Sequence, residues 1–166
     1  PNPDAQESRG LGDVYKRQEE AAVAYDTYLQ AGSNHPNTLI AKYRTAQIFH
    51  EIGEWDNCLS VTAPMLENAP QGKLFSQLQF IVGDSFFRLK KWKDSTLHLN
   101  NFVTSNSSDD EINKVANFDT ALMQLSVAHE RLGDIDKSIA TLSLLVSQYE
   151  NSTHHLPLAL AYNRRF

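Results

Sequence analysis

One pattern of residue sizes returns three times along this chain. A chain that repeats itself every 20 to 50 residues or so is confined to architectures made by stacking one supersecondary unit. The segment Ala46-Gln-Ile-Phe-His-Glu-Ile-Gly-Glu-Trp-Asp-Asn-Cys58 aligns with Gly83-Asp-Ser-Phe-Phe-Arg-Leu-Lys-Lys-Trp-Lys-Asp-Ser95 and with Ser126-Val-Ala-His-Glu-Arg-Leu-Gly-Asp-Ile-Asp-Lys-Ser138. Each has a small residue, a ring three places on, an aliphatic residue three further, a turn position, an apolar residue and a second small one. The columns are Ala46/Gly83/Ser126, Phe49/Phe86/His129, Ile52/Leu89/Leu132, Gly53/Lys90/Gly133, Trp55/Trp92/Ile135 and Cys58/Ser95/Ser138. Extended back to Ala21, the last column is spaced by 37, 37 and 43 residues (58−21, 95−58, 138−95).

The columns have the physics of two packed antiparallel helices. Leu39, Tyr43, Ala46, Phe49 and Ile52 recur at intervals of three and four, as do Leu74, Leu78, Val82, Phe86 and Leu89. That is the helical period, not the strand period. Gly53 and Gly133 fall where a helix ends in left-handed backbone, which glycine adopts without a side-chain clash. Lys90 breaks that rule, so the second turn is expected to be strained or differently closed. Helices are expected near 19–31, 37–52, 54–68, 73–90, 92–104, 109–132, 135–149 and from 157 onward. Pro64 lies inside the third of these and should kink it. Pro70 and Pro157 fall in or near the connections between hairpins. Ser105-Asn-Ser-Ser-Asp-Asp110 reads as a polar loop whose Ser108 or Asp109 caps the next helix.

Size and charge narrow the class further. A chain of 166 residues buries roughly two-thirds of its unfolded surface, so it does not need a disulfide framework. The single Cys58 could form no bridge within the chain. Net charge is −5, with basic residues scattered in ones and twos along the chain. Nucleic acid is therefore not an expected partner, because phosphate binding needs clustered positive charge. No apolar run approaches the roughly 18 residues that cross a bilayer, so no membrane insertion is expected.

The front of the chain stands apart. Asp13-Val-Tyr-Lys-Arg-Gln18 has no counterpart in the repeat, and it looks like the translation of gatgtgtataagagacag, which resembles a transposon mosaic end used in sequencing. On that resemblance residues 1–18 are an expected non-native, disordered tail. Residues 19–166 are then a repeat domain from a metagenomic fragment, with hairpins near 37–70, 73–105 and 109–150 and partial helices at both ends. Asp4, Glu7 and Asp13 balance Arg9, Lys16 and Arg17, so the tail does not alter net charge.

The order small, aromatic, Gly, small, bulky, Pro resembles the tetratricopeptide repeats. Ala46, Phe49, Gly53, Trp55, Cys58, Met65 and Pro70 hold those places at the family spacing. The resemblance covers about Glu19 to Phe166, with longer first helices and with His129 in the ring column of the third unit. It implies an all-α helical-hairpin repeat solenoid, a right-handed superhelix. The lengthened units look like those of bacterial cell-envelope repeat proteins, which implies a periplasmic or envelope location. The function implied is a protein–protein interaction scaffold. The alternative is an accessory domain of a larger envelope, secretion or enzyme assembly whose chemistry lies outside this fragment.

No catalytic, cofactor or metal constellation is legible. His50-Glu51 and His129-Glu130 begin like a zinc-protease helix, but Glu54 and Gly133 stand where the second histidine would be. His154 and His155 with His35 have no evident carboxylate to hold their other ring nitrogens, and adjacent loop histidines usually face solvent. There is no nucleophile elbow and no Walker loop. Trp55 and Trp92 share one repeat column and read as packing, and Cys58 as an inert buried thiol. The remaining candidate is the concave groove that first helices of stacked hairpins line. Its expected residues are Tyr43, Gln47, His50, Phe80, Asp84, Phe87, Met123, Val127 and Glu130, alternating ring, polar and charged groups suited to a peptide or protein partner. The plain alternative for Phe80 and Phe87 is packing against a neighbouring hairpin. Phe86 is expected in the core and Phe87 in the groove. The run Leu156-Pro-Leu-Ala-Leu-Ala-Tyr162 begins a further first helix with no polar cap after it, so self-association through this end is expected.

Overall fold

The computed structural model describes residues 38–68, 72–107 and 115–149, with single positions 20, 23, 24, 27, 157, 160, 161 and 164. The N-terminal segment 1–18, Pro70, Ser108, Asp109, His35, His154 and His155 lie outside the described residues, as does most of the stretch after 150. Among the described residues, six helices run α1 Thr38–Glu51, α2 Trp55–Asn68, α3 Lys73–Arg88, α4 Trp92–Asn106, α5 Phe118–Arg131 and α6 Ile135–Gln148. They pair in sequence order as three hairpins, α1 with α2, α3 with α4 and α5 with α6. The chain divides into two compact units, 1–68 with the first hairpin and 69–166 with the other two.

All three hairpins close by the same backbone hydrogen bonds. Glu54 N donates to Phe49 O at 2.9 Å, Lys91 N to Phe86 O at 2.9 Å and Asp134 N to His129 O at 2.9 Å, each reaching back five residues. A bond reaching back three runs beside each: Gly53 to His50, Lys90 to Phe87 and Gly133 to Glu130. This double closure requires a left-handed residue at the helix end. Gly53 (φ 82°), Lys90 (φ 58°) and Gly133 (φ 81°) supply it. Lys90 therefore holds a conformation costing an L-residue roughly 1–2 kcal/mol, and the second turn is closed with strain rather than closed differently. Each second helix then starts alike, with Cys58 N bonded to Glu54 O, Ser95 N to Lys91 O and Ser138 N to Asp134 O.

The small columns are the seams between paired helices. Ala46, Cys58, Ser95 and Ser138 are fully buried, and Ser126 nearly so. At Gly83 the approach is close. A Cβ there would lie 2.8 Å from Leu99 Cγ and Cδ2 and 3.0 Å from the Leu99 amide nitrogen, well inside contact distance. Ser95 Oγ crosses the same seam to donate to Gly83 O at 3.0 Å. Around it Leu78, Leu99 and Leu122 are fully buried. Phe102 joins three helices, with its ring centroid 5.3 Å from Phe80 on α3 and 6.1 Å from Phe118 on α5.

The third hairpin corrects one expected boundary. A single helix over 109–132 does not form, because Val115 to Asn117 make a turn and Asn117 adopts φ 64°. A left-handed residue ends the right-handed path, so α5 starts at Phe118 with Ala121 N bonded to Asn117 O at 2.9 Å. Asparagine tolerates this geometry better than most residues. Pro64 lies inside α2 at an exposed position.

Candidate functional site

Each first helix carries the same three positions around its small residue: three before it, one after and four after. In the first unit these are Tyr43, Gln47 and His50, all half-buried. Burial pushes the Tyr43 hydroxyl above its ordinary range, against the opposing pull of Arg44. Gln47 Oε1 accepts from Arg44 Nη1 at 3.3 Å. The His50 ring meets Trp55 edge-to-face, centroids 5.3 Å apart and planes at 75°.

In the second unit the same positions divide by depth. Phe80 and Asp84 are buried, and Phe87, Met123, Val127 and Glu130 are half-buried. Phe80 packs on Phe102 within its own hairpin. The Asp84 side chain is 3% exposed and accepts from Arg88 Nε at 3.3 Å. It also accepts from Gln124 Nε2 on the next first helix, α5. Phe87 meets Trp92 edge-to-face at 5.4 Å and 72°, as His50 meets Trp55. Glu130 accepts from Ser138 Oγ at 3.4 Å and from Arg164, which lies beyond the third hairpin.

The expected contrast between a core Phe86 and an open Phe87 does not appear, since both are half-buried. The reason is local. Phe86 stacks on His98, centroids 5.5 Å apart and planes at 19°, with the Lys91 ammonium 5.9 Å over the ring. Phe87 instead meets the tryptophan at the start of α4. Phe86 thus meets a polar ring and a cation, not a closed apolar core.

Three polar features escaped the sequence reading. Gln124 ties α5 to Asp84, and its only signal in sequence was a polar residue at the repeat position where Ile81 is apolar. His98 Nδ1 lies 2.7 Å from Gln79 Oε1. Burial lowers the His98 pKa, with Asp94 partly opposing. His129 is 6% exposed, and its Nδ1 is buried with no hydrogen-bond partner among the described residues. Burial and then Lys137 lower its pKa, with Asp134 opposing. Among the described residues no three His, Cys, Asp or Glu side chains gather as a metal site, and no helix is long and apolar enough to cross a membrane.

Comparison with known proteins agrees with this architecture. Residues 120–152 match the tetratricopeptide repeat family, a span that takes in most of α5 and all of α6. A crystal structure of MamA superposes with TM-score 0.73 at 17% identity, over 96% of this chain and 82% of that one. A MamA double mutant superposes with TM-score 0.72 at 17% identity, over 99% of this chain and 86% of that one. The nearly identical repeats, described as TPR-like, of a kinesin light chain from Podosopora anserina give TM-score 0.68 at 15% identity, over 93% and 85%. No curated protein sequence matches the chain. The fold is an all-α helical-hairpin repeat of the tetratricopeptide type.

Proposed function

We propose that this chain, an all-α repeat array carrying a tetratricopeptide repeat at 120–152, is a protein–protein interaction scaffold that binds a peptide or protein through side chains of its first helices, with α3 and α5 of the second compact unit offering one such face and α1 of the first offering another. One observation carries the reading. Half-exposed ring, apolar and polar side chains recur at the same positions of successive first helices: Tyr43, Gln47 and His50 in the first unit, and Phe87, Met123, Val127 and Glu130 in the second. Repeat proteins present such faces as concave binding surfaces. Phe80 and Asp84 lie beneath the second-unit face, where Phe80 supports it through Phe102 and Asp84 fixes α3 to α5 through Gln124. The role is binding, not catalysis, and the partner is a polypeptide.

The test contrasts two faces. A partner is first recovered by affinity capture and its direct binding measured with purified components. Met123→Glu and Val127→Glu are expected to weaken binding about tenfold or more, as charge placed in an interface centre does. Leu97→Glu, at a 57% exposed position of the second helix α4, is expected to leave affinity unchanged. The opposite ranking, at equal melting temperatures, would move the site to the second helices.

A further inference from the structure

His129 occupies the ring column, where the other two hairpins carry Phe49 and Phe86. The substitution is not neutral for the fold. Phenylalanine has no polar atom to satisfy, whereas the His129 ring buries Nδ1 with no partner among the described residues. The backbone of the same residue closes the hairpin, because His129 O accepts from both Leu132 N (3.1 Å) and Asp134 N (2.9 Å). Ring burial and turn closure therefore depend on one residue at the α5–α6 seam. A neutral ring is tolerated there at some cost, and a charged ring is not.

We propose that His129 makes the α5–α6 hairpin an acid-sensitive element, closed at neutral pH and opening as the solution is acidified toward about pH 5. The charged groups acting on the ring come from the turn and from α6. Lys137 repels the protonated ring, while Asp134 attracts it. Asp134 is itself engaged, with Lys137 Nζ 2.9 Å from its Oδ2. Glu130, next along α5, is engaged by Ser138 and Arg164. Among the described residues, none of these carboxylates is hydrogen-bonded to the buried Nδ1.

The direction follows by linkage. The folded ring titrates below the ordinary histidine value of 6.5, so the unfolded chain binds the proton more readily. The contribution of the neutral ring is complete above that value and decays as pH falls below it, levelling off below the folded pKa. Opening would displace what α5 holds in place: Gln124 at Asp84, and Met123, Val127 and Glu130 on the proposed face. That consequence for binding rests on the functional reading above, whereas the opening does not.

Hydrogen exchange on the partner-free protein decides it, with protection factors for the α5–α6 amides compared at about pH 7.5 and about pH 5. The expected result is a loss of about fivefold or more in the wild type, concentrated in α5–α6, and its absence in His129→Phe. Phenylalanine is the resident of that column in both other hairpins, so the variant is expected to fold. The ring's own titration, followed by NMR in the wild type, gives a second reading that needs no variant. An equal loss of protection in His129→Phe, or a His129 midpoint at or above 6.5, would overturn the proposal. Because neither measurement uses a partner, its failure is distinct from failure of the scaffold reading.

Discussion

The second and third hairpins close their turns by the same hydrogen bonds and locate their imperfections in opposite places. In the second, the seam is tight, with Gly83 against Leu99 and Ser95 Oγ on Gly83 O, and the turn is strained at Lys90. In the third, the turn has the glycine that its geometry favours, Gly133, and the seam carries the His129 nitrogen that has no partner among the described residues. A repeat therefore tolerates one departure from its pattern where the remaining columns hold. Strain in an exposed turn and a polar atom in a core cost similar amounts, of order 1–3 kcal/mol each. They respond to different variables, however: the first to sequence alone, the second also to pH.

The largest effect that would break this comparison lies where the two hairpins meet. Phe118 is fully buried at the start of α5 and contacts Phe102 of α4. Phe118→Ala is expected to cost about 3–5 kcal/mol, measured by denaturant unfolding. If the hairpins are as interdependent as that ring implies, amides of both should lose protection together. A loss confined to α5–α6 would show that the second hairpin stands without the third.

Much of this was legible because it rests on short-range geometry. Gly53 and Gly133 mark left-handed helix ends by residue type, and the recurrence of Trp55 and Trp92 fixes where each second helix begins. Lys90 was recognisable as strained only because the alignment put it in a glycine column. The depth of first-helix residues was not legible, since it depends on neighbours distant in sequence. Phe80 and Phe87 are seven apart and so lie on nearly the same face. One is buried because Phe102 approaches from α4, and the other is half-buried at the hairpin mouth beside Trp92. The Asp84–Gln124 bond joins residues forty apart and leaves no local pattern. The start of α5 was misplaced because an asparagine in left-handed geometry cannot be told from a helical one by composition.

A smaller effect sharpens the contrast between the two seams. Gly83→Ala would put a methyl group 2.8 Å from Leu99 Cγ and 3.0 Å from the Leu99 amide nitrogen, and the backbone atom cannot swing aside. Overpacking of this kind costs about 1–3 kcal/mol, against which alanine's helix preference over glycine returns up to about 1 kcal/mol. Net destabilisation is expected in thermal melts. At the equivalent place in the third hairpin, Ser126→Ala should change stability by less, because a Cβ is already accommodated there and Ser126 Oγ bonds only within its own helix, to Met123 O at 2.7 Å. Equal effects at both positions would mean that the two seams have the same spacing after all.

The smallest effect tests the strain assigned to the second turn. Lys90 holds φ 58°, is exposed, and uses its backbone N–H to close the turn on Phe87 O at 2.9 Å. Lys90→Gly keeps that bond and removes the steric cost of an L-residue in the left-handed region, about 1–2 kcal/mol. Glycine also gives the unfolded chain more freedom to lose, which offsets roughly 0.5–1 kcal/mol. The balance is a gain of about 0.5–1 kcal/mol, or a few degrees in melting temperature for a chain of this size. The reciprocal change, Gly133→Lys, should lose a similar amount, since nothing lies within 4 Å of a Cβ at Gly133 and the same two terms, backbone strain and unfolded-chain freedom, act in reverse. If Lys90→Gly lowers the melting temperature, the left-handed turn is held by contacts of the lysine stem, and the difference between the two hairpins lies in their side chains, not in their backbones.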